Sequence, residues 1–378
     1  MSGLPPNPRA DSLPDRQHAF DAHLSTDRYG NPLAPRHHLV LLLTLDAELD
    51  EEAARTVERA MRTLEAAYDW SSSGLLHVLA WGTDYFERLG RLGSVPLSHP
   101  QVLSRTDEPD LLSFDAALVL STDVPSHLSA VRGAMFGDRD HLNGEPVSDR
   151  LGDAFSVAGT RSGFMGEGLP AEHASAEGIP SPDAIPEDAP MFTGFFSGRR
   201  KTQASEDRVT VADGPFAGGT TMHLSHLQLS LDRWWTGLDD ADRVARMFSP
   251  SFSPEDVDSF TTEVPSPDDV VAQARQHDVV GHHEKVKQVR QDGEPIVLRR
   301  DFDTVDGGRA GLHFLSLQRR LAHFRKTRKA MNGWYLRDDS PAITDRRNNG
   351  ILEFVTVVSR ANFYVPPRYD RAFPLWSG

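Results

Sequence analysis

The pattern that most constrains the fold is a repeated alternation of short apolar runs with amphipathic segments. The longest largely apolar run, residues 39–45, has the length of a strand, and residues 50–68 place apolar side chains at helical spacing. The same reading predicts strands at 74–81 and 114–121 and helices at 84–92 and 126–136. Strand–helix–strand followed by strand–helix is the order of a ferredoxin-like half, an antiparallel sheet with helices packed on one face.

A second set of elements follows in a similar order. Strands are predicted at 220–231, 297–302, 311–318 and 351–359, and helices at 232–248 and 319–331. We therefore predict an α+β fold of two duplicated ferredoxin-like halves. We expect an extended N-terminal arm over residues 1–36, a first half over 37–138, an irregular Gly-, Pro- and Ser-rich connection over 139–192, and a second half over 193–378.

The charge balance restricts the partners. The net charge is −15, with 37 Asp and 18 Glu residues, whereas only 5 of the 40 basic residues are lysine. The electrostatic field of this net negative charge repels the phosphate groups of nucleic acids, so we expect no nucleic-acid partner. An Asp-rich, Lys-poor surface is typical of a halophilic protein that stays hydrated in concentrated salt. A GC-rich genome is the alternative explanation for the preference for arginine.

The chain has no cysteine, which excludes disulfides, thiolate catalysis and cysteine-ligated metal centres, and leaves the 16 histidines as the pool of metal ligands. No apolar run reaches 18 residues, so we expect no membrane span. The first residues lack the basic and apolar regions of a signal peptide. We expect a cytoplasmic protein as given, and we leave open an exported mature form and a homo-oligomer.

Four segments that carry chemistry occur in a fixed order: residues 213–234 with their Gly-Gly-Thr-Thr run, Gly281-His-His-Glu284, Val297-Leu-Arg-Arg-Asp301 and Gly311-Leu-His-Phe314. On its own, the first also reads as a glycine-rich turn, a strand and an N-capped helix. Together, the segments resemble those of the dye-decolourising (DyP-type) haem peroxidase superfamily over roughly residues 190–367. Within it, the chain resembles divergent, haloarchaeal-type members.

The resemblance implies a haem b cofactor with His282 as the iron ligand. A neutral imidazole suits iron, and a nearby carboxylate could accept its second N–H. His283 is the alternative ligand, because the two histidines are adjacent. Without a cofactor, the His-His-Glu-Lys run would read as a polar surface helix.

The resemblance also assigns the distal side of the haem. Arg299 ends a strand where the family has its distal arginine, and a fixed guanidinium there stabilises the peroxide anion. Asp301 stands where one branch of the family has an asparagine, and Leu312 and Phe314 match a pair that keeps the pocket dry. The alternatives are an exposed strand end with a local ion pair for Arg299 and Asp301, and ordinary strand core for Leu312 and Phe314.

One position departs from the family. In Gly194-Phe-Phe-Ser197-Gly198, Ser197 replaces an aspartate that takes a proton from hydrogen peroxide, and serine is a poor base near neutral pH. Arg199, just beyond, could pair with a haem propionate or lie in a solvated loop. The resemblance implies a peroxidase that uses hydrogen peroxide and a small organic reductant. Because of Ser197, a non-catalytic haem-binding protein or a cofactor-free member is the alternative.

Overall fold

The structure, a computed structural model, describes residues 13–267 and 269–376. Its N-terminal half comprises strands β1 (His37–Leu45), β2 (Leu76–Gly82), β3 (Asp110–Leu111), β4 (Ala116–Thr122), β5 (His141–Leu142), β6 (Glu145–Pro146) and β7 (Phe155–Phe164), and helices α1 (Glu51–Ala67), α2 (Thr83–Arg88), α3 (Pro125–Met135) and α4 (Leu169–Glu172). The main strands form an antiparallel sheet in the order β7-β1-β4-β2. Helices α1 and α3 pack on one face of it, as predicted.

The C-terminal half repeats this arrangement. It comprises strands β8 (Thr220–Leu229), β9 (Arg290–Gln291), β10 (Glu294–Pro295), β11 (Leu298–Arg299), β12 (Phe302–Thr304), β13 (Gly311–Gln318) and β14 (Val355–Val365), and helices α5 (Glu206–Val209), α6 (Leu231–Thr236), α7 (Asp240–Met247), α8 (Pro254–Asp258), α9 (Val270–His277), α10 (His282–Lys287) and α11 (Leu321–Met331). Its main strands run in the order β12-β13-β8-β14. The two halves therefore share one ferredoxin-like order, which confirms the predicted fold class.

The two sheets join into a closed ring of eight strands. Strand β7 pairs with β12 through Phe164 and Asp303, and β2 pairs with β14 through Gly82 and Phe363 and the neighbouring pair. A side chain at Gly163, beside the first seam, would collide with the carbonyl of Asp303. A side chain at Gly82, on the second seam, would collide with the carbonyl of Phe114. The first seam therefore depends on a glycine that permits close approach of the two backbones, whereas Gly82 permits the close approach of β2 to the segment before β4.

Strand β1 shows why the ring has two separate cores. Leu41 and Leu43 pack into the cluster that includes α1 and α3, whereas Val40 and Leu42 belong to the cluster inside the barrel. Successive side chains of a strand point to opposite faces, so a strand buried on both faces reads as a continuous apolar run. This accounts for the long apolar stretch that the sequence shows there.

The segment 139–192 differs from the prediction of an irregular connection. It contains β7, which pairs with β1 along its whole length and supplies the fourth strand of the N-terminal sheet. Its sequence, Phe-Ser-Val-Ala-Gly-Thr-Arg-Ser-Gly-Phe, has few apolar residues, and most of its side chains are half-exposed or exposed. The strand is therefore set by backbone pairing and not by an apolar pattern. The division of the chain into domains at residues 138 and 192 stays a prediction.

Two further elements differ from the predictions. The predicted helix at 232–248 is broken into α6 and α7, because the chain turns at Gly237 and Asp239 caps the start of α7 with its carboxylate. The predicted strand at 351–359 begins later, at Val355, and continues to Val365 through the polar residues Arg360 and Asn362. These two side chains are buried, which a polar sequence does not indicate.

The N-terminal arm packs against the barrel in its described part. The side chain of Gln17 is fully buried, where its amide donates to the carbonyls of Leu79 and Pro366 and its carbonyl accepts from the Leu79 N–H. Phe20 joins the cluster inside the barrel. The first twelve residues of the predicted arm lie outside the described residues. Within the described ranges, the helices are all too short or too polar to cross a membrane.

Candidate active site

A cavity of about 240 Å³ lies between the outer face of the C-terminal sheet and the helices that cover it. Seven of the predicted site residues line it: Ser197, Arg199, His282, Arg299, Asp301, Leu312 and Phe314. His283 lines it too, whereas Gly194 and Gly198 do not. Gly194 has φ +84° and lies against Trp235, so these two glycines shape the loop that carries Ser197. Segments far apart in the sequence thus meet at one cavity.

His282 is the first residue of α10, and three contacts fix the start of that helix. The Glu284 carboxylate accepts from the Gly281 N–H at 2.6 Å and from the Ser249 hydroxyl at 2.8 Å. A side chain at Gly281 would collide with the carbonyl of Phe248. Burial raises the pKa of Glu284, and the hydrogen bonds from Gly281 and Ser249 oppose this shift. The contacts hold His282 at the cavity wall.

The His282 imidazole is available for a ligand. Its Nδ1 is buried with no hydrogen-bond partner, and its Nε2 has none either among the described residues. Burial, and then the nearby cations Lys285 and Arg299, hold its pKa well below the ordinary value. The ring is therefore neutral at neutral pH, which is the form that ligates a metal.

His283 is oriented differently. Its Nε2 lies 3.2 Å from the carbonyl of Val264, so this nitrogen donates a hydrogen bond to the backbone. Burial lowers its pKa to about 3, so this ring is neutral as well. Metal-ligating histidines commonly bond to a carbonyl through one nitrogen and to the metal through the other, so the contact does not decide between the two histidines.

Arg299 is held by neutral acceptors. Its guanidinium donates to the Ser197 carbonyl at 3.0 Å, to the Gln203 amide oxygen at 3.3 Å and to the Thr202 hydroxyl at 3.4 Å. Gln203 also accepts from the backbone N–H of Arg299 at 2.9 Å. Within the described residues, Arg299 forms no ion pair. Its positive charge is thus fixed in place and uncompensated, as a group that stabilises an anion requires.

Two carboxyl groups follow on the same face. Asp301 is 7% exposed, and its Oδ2 accepts from the Ser197 hydroxyl at 3.2 Å. Asp303 is 1% exposed and accepts from the Phe192 N–H at 2.6 Å. Burial raises the pKa of Asp303 well above its ordinary value, the hydrogen bond from Phe192 opposes the shift, and Asp301 adds to it. The cavity wall therefore carries a second carboxyl group, with a raised pKa, beside Asp301.

Asp303 was not among the predicted site residues, although a signal for it exists. Arg299, Asp301 and Asp303 alternate in sequence, and alternate residues of an extended chain share one face. The residues between them confirm this, because Phe302 packs inside the barrel. His313, between Leu312 and Phe314 in β13, is fully buried outside the cavity and contacts Asp306 at 2.9 Å.

A buried ionic cluster at the cavity was also missed. Asp107 accepts from Arg328 at 2.9 Å and from Arg360 at 2.7 Å, and all three side chains are less than 9% exposed. Two guanidinium groups share one carboxylate, so the cluster has a net positive charge. The ionisable residues lining the cavity, apart from its histidines, are the cations Arg199, Lys287, Arg290, Arg299, Arg328 and Arg360 and the acids Asp107, Asp301 and Asp303. The cavity is thus cationic in an acidic protein and suits a ligand with anionic groups.

Solved structures with a similar fold are DyP-type proteins. The dye-decolorizing protein from V. cholerae has a TM-score of 0.59 at 15% identity, covering 93% of this chain and 98% of that one. A putative DyP-type peroxidase from Shewanella oneidensis has a TM-score of 0.61 at 15% identity, with 92% and 96% covered. A variant of Rhodococcus jostii DypB in complex with haem has a TM-score of 0.57 at 15% identity, with 94% and 99% covered. These similarities confirm the duplicated ferredoxin-like fold.

Comparisons of sequence give a family without an assigned activity. No curated protein matches the chain. The model of DUF7405, described as a family of unknown function, matches residues 35–367. This range includes both halves of the barrel and all the residues that line the candidate active site. The chain therefore belongs to the DUF7405 family.

Proposed function

We propose that this protein is a haem-dependent peroxidase that reduces hydrogen peroxide with a small organic electron donor. The observation that carries the proposal is that His282, Arg299 and Asp301 line one cavity although they belong to different elements. Leu312 and Phe314 give that cavity an apolar wall. The fold is shared with DypB, whose variant was solved in complex with haem, and we transfer the cofactor on that basis.

The residues present fit haem b. His282 offers a neutral imidazole without partners among the described residues as the iron ligand, and His283 is the alternative. The cluster of Arg328, Arg360 and Asp107 has an excess positive charge, which suits the propionates of haem. Arg199 is a further candidate for a propionate. When bound, haem supplies the iron that exchanges electrons with peroxide.

The chain itself supplies proton transfer and charge stabilisation. Reduction of hydrogen peroxide consumes two electrons and two protons and forms two molecules of water. Asp301 can take a proton from one peroxide oxygen and return it to the other as water leaves. Arg299 stabilises the negative charge that develops on the peroxide. The Ser197 hydroxyl donates to Asp301 and thereby orients its carboxylate. Asp301 then takes over the proton transfer that the family assigns to the aspartate at the position of Ser197.

A non-catalytic haem-binding protein is the second candidate function. Two observations favour it: Ser197 cannot act as a base, and one oxygen of Asp301 is already engaged by the Ser197 hydroxyl. A protein that only holds haem needs His282 and the cationic cluster, and it does not need a distal base. A cofactor-free member of the superfamily is the third.

Absorbance spectra separate the three functions. Haem is titrated into the purified full chain, and the Soret band is recorded before and after addition of hydrogen peroxide. A stoichiometric Soret band that changes with peroxide, with turnover of an organic donor, supports the peroxidase. A stoichiometric band that is inert to peroxide supports haem binding alone. If haem does not bind at a ratio near one, the proposed function is wrong.

A further inference from the structure

A second and larger cavity, of about 700 Å³, opens into the barrel itself. Apolar side chains from strands of both halves line it, among them Val78, Val119, Met222, Leu315 and Leu317. This volume lies within the range of about 300–1,000 Å³ that small-molecule sites occupy. The other wall is formed by the N-terminal arm, through Phe20 and neighbouring residues. The chamber is therefore apolar along the strands and separate from the helices that cover the first cavity.

The polar part of this cavity is mainly cationic. Its ionisable lining, apart from the neutral His38, comprises Arg200, Lys201, Arg208, Arg299, Arg300 and Arg319 together with Asp21, Asp207, Glu294 and Asp301. An excess of cations is unexpected in a chain whose net charge is −15. Several of these cations are neutralised inside the protein, because Arg300 pairs with Glu206 at 2.7 Å and Lys201 pairs with Glu263 at 3.2 Å.

Three of the arginines are not neutralised. Within the described residues, no carboxylate pairs with Arg200, Arg299 or Arg319. The guanidinium of Arg319 donates only to backbone carbonyls, those of Thr210 at 2.8 Å and Asp207 at 3.4 Å. Arg200 is exposed, and Arg299 and Arg319 are half-buried, so their charges remain open to a ligand at the wall of the chamber. The cavity is therefore complementary to a molecule with an apolar body and one anionic group.

We propose that the barrel interior binds a small organic monocarboxylate, with its hydrocarbon part against the strands and its carboxylate on the unpaired arginines. Phe196, Ser197, Arg299 and Asp301 line both cavities, so they form a wall between the two. A carboxylate in the barrel therefore lies on the opposite side of the wall that carries the candidate distal residues. The binding does not require haem, and it is tested through Arg319, which lines only the barrel cavity and has no part in the proposed peroxidase site.

Isothermal titration calorimetry on the full chain tests this, with haem content measured by absorbance. The probes are hexanoate and cinnamate, with hexanamide and cinnamyl alcohol as neutral counterparts. We expect one carboxylate per chain and binding of the neutral counterparts that is weaker by about tenfold or more, since a charge-assisted hydrogen bond is lost. No binding by either carboxylate, or equal binding of the neutral counterparts, overturns the proposal.

Two variants locate the site. Val119→Phe adds bulk to a side chain that lines only the barrel cavity, and it should abolish binding, whereas Val102→Phe at an exposed position should not. Arg319→Gln should weaken carboxylate binding about tenfold and leave the neutral probes unchanged, with Arg132→Gln on α3 as the matched control. Thermal unfolding shows whether Val119→Phe folds. If it does not fold, the binding data of Arg319→Gln alone decide whether the carboxylate lies in the barrel. Binding that survives both substitutions in folded protein contradicts the barrel site.

Discussion

Asp301 is the residue whose surroundings determine most of the proposed chemistry. It has one identified donor, the Ser197 hydroxyl at 3.2 Å, and a second carboxyl group, Asp303, lies on the same face of the chain. Burial, and to a lesser extent the neighbouring Asp301, raise the pKa of Asp303 well above its ordinary value. Two carboxyl groups beside the fixed guanidinium of Arg299 are a workable arrangement for moving a proton.

We predict that Asp301→Asn slows the reaction with peroxide by about 10²–10⁴-fold, because a positioned base contributes about that much to a rate. Stopped-flow measurement of the peroxide-dependent change in the Soret band checks this. Arg299→Leu should slow the same change, whereas Asp110→Asn, at an exposed position, should not. An unchanged rate in both Asp301→Asn and Arg299→Leu would show that other groups carry the chemistry.

His282→Ala should abolish stoichiometric haem binding or shift the ferric spectrum to that of a weakly ligated iron. The reason is that the His282 ring lines the cavity and has no hydrogen-bond partner among the described residues. The matched variant is His283→Ala, which should retain the spectrum. If His283→Ala loses haem and His282→Ala keeps it, the iron ligand is His283.

At the residue scale, a residue could be chosen from the sequence where it lies in a recognisable short segment, and its role stays a prediction. His282 and Arg299 were predicted from their place in short segments, and both line the cavity. Asp107 had no such signal, because its partners Arg328 and Arg360 are more than 200 residues away in the chain. Asp303 was missed because its raised pKa depends on burial, which the fold creates.

At the scale of elements, α10 is held by a buried lysine. The Lys285 Nζ is fully buried and donates to the Met331 carbonyl at 2.8 Å, to the Asn349 carbonyl at 2.9 Å and to the Asn349 side-chain oxygen at 2.5 Å. Burial, and then the nearby Arg328, lower the pKa of Lys285 well below its ordinary value. Through its hydrogen bonds, Lys285 ties the short helix that begins with His282 to the end of α11 and to the segment before β14.

Lys285→Met should lower the free energy of unfolding by about 2–4 kcal/mol, because it leaves buried carbonyl groups without donors. Lys287→Met is the control, since Lys287 is a more exposed residue of the same helix and its ion pair with Glu263 is long, at 3.6 Å. We expect it to cost less than about 1 kcal/mol. Urea unfolding measures the free energy of unfolding of both variants. If Lys285→Met loses no more stability than Lys287→Met, Lys285 does not anchor α10.

Among the elements, α1 and β13 were predicted almost to the residue. Apolar periodicity and the capping residue Asp50 mark α1, and a run of mostly apolar residues marks β13. Strand β7 was not predicted. Its Gly, Ser, Thr and Arg residues carry no periodic signal, and its place depends on pairing with β1 and on the seam with β12. The end of β14 was placed too early, at residue 359 instead of Val365, because Arg360 and Asn362, which look solvent-exposed in the sequence, are buried inside it.

At the scale of the whole molecule, four fully or nearly fully buried histidines couple stability to pH. Burial lowers the pKa values of His18, His38, His77 and His223 to about 3 each. Above about pH 6.5 these histidines are neutral in both the folded and the unfolded chain, so the free energy of unfolding does not change with pH on their account. As the pH falls from about 6.5 towards 3, they bind protons only in the unfolded chain, and the free energy of unfolding falls. Each contributes a slope of up to about 1.4 kcal/mol per pH unit in that window.

We predict that the free energy of unfolding falls by at least about 2 kcal/mol between pH 7.5 and pH 5. Urea unfolding at several pH values measures this. His77→Phe should reduce the slope, because this ring packs against Trp70 and neither nitrogen finds a partner in the described structure. His141→Phe, at an exposed position, should leave the slope unchanged. A free energy of unfolding that does not change with pH would contradict the burial of these histidines in their neutral form.

The acidic surface leads to a separate prediction about salt. With a net charge of −15 and only 5 lysines, like-charge repulsion should destabilise the fold at low ionic strength. We expect the Tm to rise steadily from low to molar KCl as this repulsion is screened. A Tm that is flat or falls with KCl would remove the halophilic interpretation.

The two seams of the ring determine when the fold can be completed during synthesis. Strand β14 is the last strand of the described chain, and it alone joins β2 to β8. Until it leaves the ribosome, both of those strands keep an unpaired edge, and unpaired edges are sites of aggregation. The edges of β2 and β8 therefore stay open until β14 has been synthesised, and their protection depends on that one strand.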